Sequence, residues 1–240
     1  MTRLSVNINK IATIRNARGG NTPDVKLAAI NCQRYGAEGI TVHPRPDERH
    51  IRYQDVHDIK PKIVTEFNIE GYPSDSFLKL VTEVKPNQVT LVPDPPDALT
   101  SNQGWDTIQN KEFLKKVIAQ LQKAGIRTSI FIGTDLELVR HAADTGTNRV
   151  ELYTEPYASD FDADRAKALE PFARAAEVAA ENGLDVNAGH DLNLDNLMYF
   201  VKHVKPLHEV SIGHALISDA LYFGLEKVIQ MYLDRIRAGK

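Results

Sequence analysis

The segment GITVHPRPDERH, residues 39–50, joins a short apolar run to a dense group of ionisable side chains. The β-branched run predicts a buried strand, because Gly39 precedes it and two prolines follow it. Prolines disfavour helix, so Pro44 and Pro46 carry the chain outward from the strand end. The ionisable groups at this end include His43, Arg45 and His50. Strand ends are a common place for chemistry in α/β folds, although merely solvated charges would give the same local pattern.

Similar apolar runs recur along the whole chain, and helical patterns separate them. The predicted strands are residues 4–8, 40–42, 64–70, 88–92, 128–132, 149–153, 184–188 and 209–212. The predicted helices are residues 22–36, 53–58, 74–84, 110–124, 135–146, 162–182, 193–203 and 218–236. Strands that alternate with helices pair in parallel, and eight such units predict a closed (β/α)8 TIM barrel as a single domain over residues 1–240. The alternative is a doubly wound open sheet, but no glycine-rich dinucleotide fingerprint follows the first strand.

Several local signals set the predicted boundaries. Thr22-Pro23-Asp24 predicts a helix start, with the Thr22 hydroxyl as cap and proline in the first turn. Asp135 is predicted to cap a later helix, and Pro171 is predicted to kink or restart the alanine-rich one. The loop PDPPDALTSNQGWD, residues 93–106, is long for a compact domain and predicts a functional lid. Trp105 either anchors this loop or simply packs; the sequence does not decide between the two.

Composition restricts the possible partners. The chain has 240 residues, a net charge of −3 and no long basic run, which argues against nucleic acid as the main partner. The single cysteine, Cys32, cannot form an internal disulfide and lies on an apolar helical stripe, so we expect it in the core. No apolar stretch approaches the roughly 18 residues of a membrane span, and the start has no signal-peptide pattern. We therefore expect a soluble, cytoplasmic protein without membrane contact.

The predicted strand ends carry many polar side chains, and a barrel brings all of these ends to one face. They are Asn7, Asn9, Lys10, His43, Arg45, Glu70, Glu151, His190, Gly213 and His214. Together they supply proton donors, proton acceptors and anion-binding groups, as a catalytic site requires. Each also has a structural alternative: His43 and His190 as core histidines, and the two glutamates as ion-pair partners or buried structural carboxylates. The histidines at positions 57, 141, 203 and 208 are expected to be structural or on the surface.

Two anion-binding places are predicted at this face. Residues 189–190 and 212–214 follow the last two strands, where barrels often bind phosphate through exposed backbone N–H groups. Arg45 and His50 offer a second place across the barrel mouth. Two such places beside acid/base groups predict two phosphorylated substrates, or one long bisphosphate.

The joint pattern resembles a known family over nearly the whole chain. The segments that carry the resemblance are VNINKIATIRNARG (6–19), GITVHPRPDERHI (39–51), FNIE (67–70), the loop with Thr100, VELYTEPYA (150–158), VNAGH (186–190) and SIGHALI (211–217). In this order they resemble the pyridoxine 5′-phosphate synthase family. The resemblance implies a (β/α)8 barrel with extra helices, assembled as a homo-octamer. It also implies condensation of 1-deoxy-D-xylulose 5-phosphate with 3-amino-2-oxopropyl phosphate to pyridoxine 5′-phosphate, phosphate and water, without a metal or organic cofactor.

The resemblance also implies residue roles. The acid/base residues would be His43, Glu70 and His190, and Glu151 would stabilise charge in the transition state. The deoxyxylulose phosphate would be held by Arg45, His50 and Thr100. The amino-ketone phosphate would be held by Asn7, Arg18, Gly213 and His214.

Three positions depart from the family pattern. Asn9 stands where many members have Asp, Lys10 where they have His, and Asp191 where they have Gly. The first two would contact the deoxyxylulose substrate, and Asp191 would lie beside the amino-ketone phosphate, where its charge is repulsive unless it turns away or meets the substrate amine.

Two other functions are compatible with the residues. A metal-dependent hydrolase could use His43, Glu70, His190 and His214 as ligands, but the sequence has no HxH pair at a strand end and no carboxylate-rich cluster. A non-catalytic barrel that binds a phosphorylated ligand would accommodate the three departures.

Overall fold

Eight short strands build the centre of the molecule. The computed structural model describes residues 2–94 and 103–240. The strands are β1 (Arg3–Asn7), β2 (Gly39–Val42), β3 (Glu66–Gly71), β4 (Gln88–Leu91), β5 (Arg127–Ile132), β6 (Arg149–Tyr153), β7 (Asp185–His190) and β8 (Glu209–Ile212). Each strand pairs in parallel with the next, and β8 pairs with β1. The predicted closed barrel is confirmed, and the open-sheet alternative is wrong.

Helices surround this barrel. They are α1 (Asn9–Asn16), α2 (Val25–Arg34), α3 (Tyr53–Ile59), α4 (Asp75–Val84), α5 (Lys111–Lys123), α6 (Leu136–Ala143), α7 (Glu155–Asp160), α8 (Arg165–Glu181), α9 (Leu197–His203), α10 (His214–Phe223) and α11 (Leu225–Ala238). A 3₁₀ turn at Lys60–Lys62 follows α3. The helices beyond one per strand confirm the expected extra helices. No helix in the described ranges has both the length and the apolar character that crossing a membrane requires.

The apolar core lies between the strands and the helices, and the inside of the barrel is polar. Side chains such as Leu4 and Val6 point away from the barrel axis and are fully buried in the core, as is Cys32. The alternating positions face inward, where side chains of non-adjacent strands meet. The Thr90 hydroxyl of β4, for example, donates to Glu151 Oε2 of β6 over 3.4 Å. Such a contact crosses the interior, so the inward row is a hydrogen-bonded polar layer.

Charged side chains fill the amino end of this interior. Arg3 Nη1 lies 2.9 Å from Glu66 Oε2, and Arg127 pairs with the same carboxylate. Glu209 is buried nearby, 3.5 Å from Arg3 Nη2. These pairs compensate the cost of burying charge at the closed end of the barrel. The cavity described below is at the opposite end.

Several boundaries differ from the predictions for local reasons. The third strand begins at Glu66 rather than at residue 64, because the N–H groups of Val64 and Thr65 donate to Gln33 Oε1 instead of a strand. The polar segment after β1 forms α1, which the sequence analysis did not assign. The last helix is two helices, since Gly224 adopts a φ of +83° between α10 and α11.

Of the two predicted helix caps, one is confirmed and the other is wrong. Asp135 caps α6 as predicted, its Oδ1 accepting from the Glu137 N–H at 2.9 Å. The predicted Thr22 cap is wrong, because Asp24 caps α2 through a 3.0 Å bond from the Leu27 N–H. Pro171 lies inside the continuous helix α8, so the predicted restart there is also wrong.

Trp105 lies at the end of the long loop, and both packing and a hydrogen bond hold it there. Its indole is 4% exposed, and Nε1 donates to the Leu91 carbonyl at 3.0 Å. Its ring stacks on Tyr72 with centroids 6.1 Å apart. Trp105 therefore fixes the return of the loop against the ends of β3 and β4. The middle of the loop, including Thr100, is outside the described residues.

We predict that Gly71→Ala destabilises the fold. A Cβ at this position would lie 2.2 Å from the Phe77 ring, which is buried in the core and cannot move freely. Overpacking of this kind costs about 1–3 kcal/mol, so the midpoint of urea unfolding should fall. Gly133→Ala is the control, since an added Cβ there meets no atom within 4 Å. Equal midpoints for the two variants would contradict the prediction.

Candidate active site

A cavity of about 390 Å³ opens at the carboxyl ends of the strands. It is lined by Asn7, Asn9, Lys10, His43, Arg45, His50, Glu70, Tyr153, Glu155, His190, Asp191, Ser211, Gly213 and His214. Most of the predicted site residues are therefore brought together, from positions that span more than two hundred residues of sequence. The cavity occupies the face on which barrel enzymes carry their active sites.

Two predicted site residues in the described ranges do not line the cavity. Glu151 is buried beneath it, with Oε1 4.0 Å from His190 Nδ1. Arg18 is exposed in the turn after α1 and is not among the residues that line the cavity. Thr100 lies outside the described residues.

Sequence reasoning missed three residues that line the cavity, namely Tyr153, Glu155 and Ser211. Tyr153 and Ser211 could have been found from strand periodicity. Side chains two residues apart share a face of a strand, so Tyr153 follows Glu151 and Ser211 precedes Gly213. Glu155 starts α7, a short helix whose start could have been found from Pro156 in its first turn.

The first functional cluster joins β1, β2 and β3. His43 Nδ1 lies 3.8 Å from Glu70 Oε2, and the same carboxyl oxygen accepts from Asn7 Nδ2 at 3.4 Å. Asn9 Oδ1 accepts from the His43 N–H at 2.9 Å, which fixes the backbone of His43. Both His43 and Glu70 are buried. The end of β1 therefore positions an imidazole and a carboxyl side by side.

Burial sets the protonation of this cluster. It raises the pKa of Glu70 well above its usual range, and the carboxylates of Glu151 and Asp94 raise it further. Burial also lowers the pKa of His43, helped by the positive charge of Arg45. Both shifts favour a neutral imidazole beside a protonated carboxyl over a pair of opposite charges. Such a pair can pass a proton in either direction with little change in net charge.

A cationic wall lies beside the cluster. Arg45 Nη2 donates to Asp94 Oδ2 at 2.9 Å, and both side chains are buried. Burial and the positive charges of Arg45 and Lys10 lower the pKa of His50 to about 4. His50 Nδ1 accepts from the Ile51 N–H, so the proton of the neutral ring is on Nε2 and can be donated to an anion. Arginine, lysine and this imidazole N–H are groups that bind phosphate.

The second functional cluster joins β5, β6 and β7. His190 has a φ of +85° and packs against Phe131, with ring centroids 4.8 Å apart. Burial lowers the pKa of His190 to about 4 and raises the pKa of Glu151 to about 8. A Cβ on Gly189 would lie 2.9 Å from Glu151 Oε1, so glycine is needed for this close approach. The arrangement places a protonated carboxyl behind a neutral imidazole.

Gly213 forms the N-cap of α10 at the cavity edge. A Cβ here would lie 3.0 Å from Asn7 Cβ, and glycine therefore lets the chain pass close to β1. The first N–H groups of a helix have no intrahelical partner and favour anions. The N-terminus of α10 thus has the geometry expected for a phosphate site, with His214 as its first helical residue.

Within residues 2–94 and 103–240, no group of three or more His, Cys, Asp or Glu side chains has the arrangement of a metal site.

Fold and cavity together define a (β/α)8 barrel with acid/base and anion-binding groups at the carboxyl end. A structure of phosphoribosylanthranilate isomerase from Thermotoga maritima has the same fold, with a TM-score of 0.62 and 14% identity over 99% of both chains. So does 3-keto-L-gulonate-6-phosphate decarboxylase from Vibrio cholerae, with a TM-score of 0.66 and 9% identity over 100% of this chain and 99% of the other. At these identities the likeness concerns the fold alone.

The chain belongs to the family described as pyridoxal phosphate biosynthesis protein PdxJ, whose model matches residues 4–238. A relative from Porphyromonas gingivalis is 60% identical over 236 residues, covering 98% of this chain and 99% of its own. A relative from Parabacteroides distasonis is 62% identical over 232 residues, covering 97% and 98%. Both carry the name pyridoxine 5′-phosphate synthase. The family resemblance found in the sequence is confirmed.

We predict that Glu151→Gln reduces the loss of stability at alkaline pH. The folded state holds the Glu151 proton up to about pH 8, whereas an unfolded glutamate releases it near pH 4.5. Its contribution to stability is therefore full below pH 4.5 and is lost as the pH rises through about 8. Between pH 6 and pH 9, urea unfolding should show a smaller fall in the free energy of unfolding for the variant, by at least about 1.4 kcal/mol, the value of one pKa unit.

The control for this experiment is Glu112→Gln, since Glu112 is exposed on α5. It should follow the wild-type pH dependence. A Glu151→Gln profile parallel to wild type would show that Glu151 is already ionised at neutral pH.

Proposed function

We propose that this chain condenses 1-deoxy-D-xylulose 5-phosphate with 3-amino-2-oxopropyl phosphate to give pyridoxine 5′-phosphate, phosphate and water. One observation carries the proposal. A single cavity joins two buried acid/base clusters to anion-binding groups, in a chain about 60% identical over its full length to relatives named pyridoxine 5′-phosphate synthase. The proposal includes no metal and no organic cofactor.

The chemistry requires several proton transfers. Building the ring needs condensation of an amine with a ketone, elimination of water and phosphate, and an aldol-type closure. Each step moves a proton at or beside a carbonyl or imine carbon, so groups that hold and release protons must flank the substrates. The two clusters meet this requirement from different sides of the cavity.

Glu70 and His43 are the proposed proton carriers for condensation and elimination. Their 3.8 Å separation allows a substrate atom or a water molecule to connect them. The raised pKa of Glu70 keeps a proton available, and the lowered pKa of His43 leaves its imidazole able to accept one. We assign Asn7 and Asn9 to hold this pair in position.

His190 and Glu151 are the proposed groups for the late ring closure. His190 is at the cavity surface and is the acid/base group, while the carboxyl of Glu151 lies behind it. A carboxyl protonated through its raised pKa can donate a hydrogen bond toward negative charge that develops in the transition state. This supports the stabilising role that the family resemblance implies for Glu151.

The substrate phosphates are assigned to the two anion-binding places. Arg45 and His50 would hold the deoxyxylulose phosphate, and Gly213 and His214, with Asn7, the amino-ketone phosphate. On the family resemblance alone, Thr100 is assigned to the deoxyxylulose phosphate and Arg18 to the amino-ketone phosphate.

Two of the departures from the family pattern are compatible with these assignments. Asn9 keeps a side-chain oxygen that accepts from the His43 N–H, a bond that Asp would also make. Lys10 lines the cavity and retains a donor for a phosphate or hydroxyl oxygen.

Assembly and location are part of the proposal. We propose one catalytic domain over residues 1–240, a homo-octamer and a cytoplasmic location. The tip of α10 supports association with further copies, since Leu221 is 70% exposed and Tyr222 is 85% exposed. Sedimentation equilibrium should give eight times the mass of one chain; the mass of a monomer would contradict the octamer.

We predict that Glu70→Gln lowers turnover by at least ~100-fold while both substrates still bind, because the amide keeps the shape but cannot carry the proton. Steady-state kinetics and calorimetric titration of each substrate measure the two quantities. Glu112→Gln serves as the control and should retain wild-type turnover. Near-normal turnover of Glu70→Gln would remove Glu70 from the mechanism.

The overall reaction is tested by supplying deoxyxylulose phosphate and freshly generated amino-ketone phosphate, and detecting pyridoxine 5′-phosphate by mass. We expect product with the wild-type chain and none with His43→Ala. Folded wild-type protein that gives no product would contradict the proposed function.

A further inference from the structure

Two carboxylates line the cavity after β6 and β7, whereas Lys10, Arg45 and His50 follow β1 and β2. They are Glu155, at the start of α7, and Asp191, directly after β7. Thr154 ties the two segments together, because its hydroxyl donates to the Gly189 carbonyl and accepts from the Asp191 N–H at 3.4 Å. The paired strands β6 and β7, with Tyr153 opposite Gly189, bring both residues to the same part of the rim.

Neither carboxylate forms an ion pair with another residue in the described ranges. Glu155 Oε1 accepts one bond, from the Ser159 hydroxyl at 2.5 Å. Partial burial raises the pKa of Asp191, and the negative charge of Glu155 raises it further, while the more distant His214 lowers it. The two carboxylates also raise the pKa of the neighbouring Tyr153 hydroxyl. This wall is therefore negative, and within the described ranges neither carboxylate has a cationic nitrogen at ion-pair distance.

The adjoining part of the cavity has a hydrogen-bonding group without a partner. Ser211 is 4% exposed and lines the cavity, and its hydroxyl makes no hydrogen bond to any described residue. It lies on β8 and pairs with Gly189 of β7. Gly189 is two residues before Asp191 in the sequence. Buried hydroxyls are normally satisfied. An unsatisfied hydroxyl on a cavity-lining residue indicates a polar ligand there.

We propose that Glu155 and Asp191 form a subsite for a primary ammonium group, and that this subsite selects the amine end of the amino-ketone phosphate over a hydroxyl. The inference rests on the proposed function and deepens it. A ligand with phosphate at one end and ammonium at the other matches both walls: the anion meets the N-terminus of α10, and the cation meets the two carboxylates. Hydrogen bonds between charged partners are stronger than neutral ones, so the amine is favoured.

The two carboxylates also disfavour phosphorylated ligands that carry no cation. A carboxylate close to a phosphate site repels the phosphate and weakens a ligand that brings no cation. Asp191 is close enough to His214, at the phosphate site, for their charges to interact. The subsite therefore acts against phosphorylated hydroxy-ketones of the same size while it favours the amine.

A pair of unreactive ligands tests the proposal. In 3-amino-2-hydroxypropyl phosphate and glycerol 3-phosphate a hydroxyl replaces the carbonyl, so neither can close the ring, and in the absence of deoxyxylulose phosphate neither has a ketone to condense with. The two ligands differ only in an ammonium or a hydroxyl group. Calorimetric titration at pH 7 should show wild type binding the amine at least about tenfold more tightly. In the double variant Glu155→Gln with Asp191→Asn, the amine ligand should lose at least about tenfold in affinity, whereas glycerol 3-phosphate should bind equally or more tightly.

A general disturbance of the structure would weaken the binding of both ligands. Opposite changes in the two affinities therefore indicate that the carboxylates act directly on the ammonium group. Asp195→Asn, an exposed change four residues from Asp191, is the matched control and should keep the wild-type preference. Asp191→Asn alone should give a smaller change in the same direction. Equal affinities in wild type, equal weakening of both ligands in the double variant, or no binding of either ligand would overturn the subsite.

This experiment needs no turnover, so it is distinct from the test of the reaction. An amine preference without formation of pyridoxine 5′-phosphate would support the subsite and contradict the proposed function. Product formation without an amine preference would support the proposed function and contradict the subsite.

Discussion

Pairing between β1 and β8 is the constraint on which the rest of the molecule depends. It closes the sheet, so every strand has two partners and only two environments remain for side chains: between strands and helices, or inside the barrel. The apolar row fills the first environment, and the polar row fills the second. Closure also brings residues from six separate places in the chain to one cavity.

The polar interior explains the chemistry of the cavity. Carboxyl groups inside the barrel lose hydration, which favours their protonated forms, and imidazoles beside them lose hydration and favour their neutral forms. Glu70 with His43, and Glu151 with His190, repeat this pattern on different strands. Proton donors and acceptors are thus available near neutral pH through burial rather than through unusual residues.

The charged groups at the mouth form two sets with opposite ligand preferences. Arg45, Lys10 and the α10 N-terminus favour anions, while Glu155 and Asp191 favour a cation. Position 191, where the family resemblance implies glycine, belongs to the acidic wall. The presence of Glu155 beside it gives the aspartate a physical role, which neither residue would suggest on its own.

The sequence by itself determined the alternation of eight strands and helices, the strand ends and most of the residues in the cavity, because period-two and helical patterns follow from which faces must be buried. It did not determine helix α1, the break between α10 and α11 at Gly224, or the start of β3 after Val64. These features depend on tertiary contacts such as the hydrogen bond from the Val64 N–H to Gln33. It also missed Tyr153, Glu155 and Ser211. Only the tertiary structure decided which side chains share a wall and which carboxyls are desolvated, since distance and burial depend on packing between segments far apart in sequence.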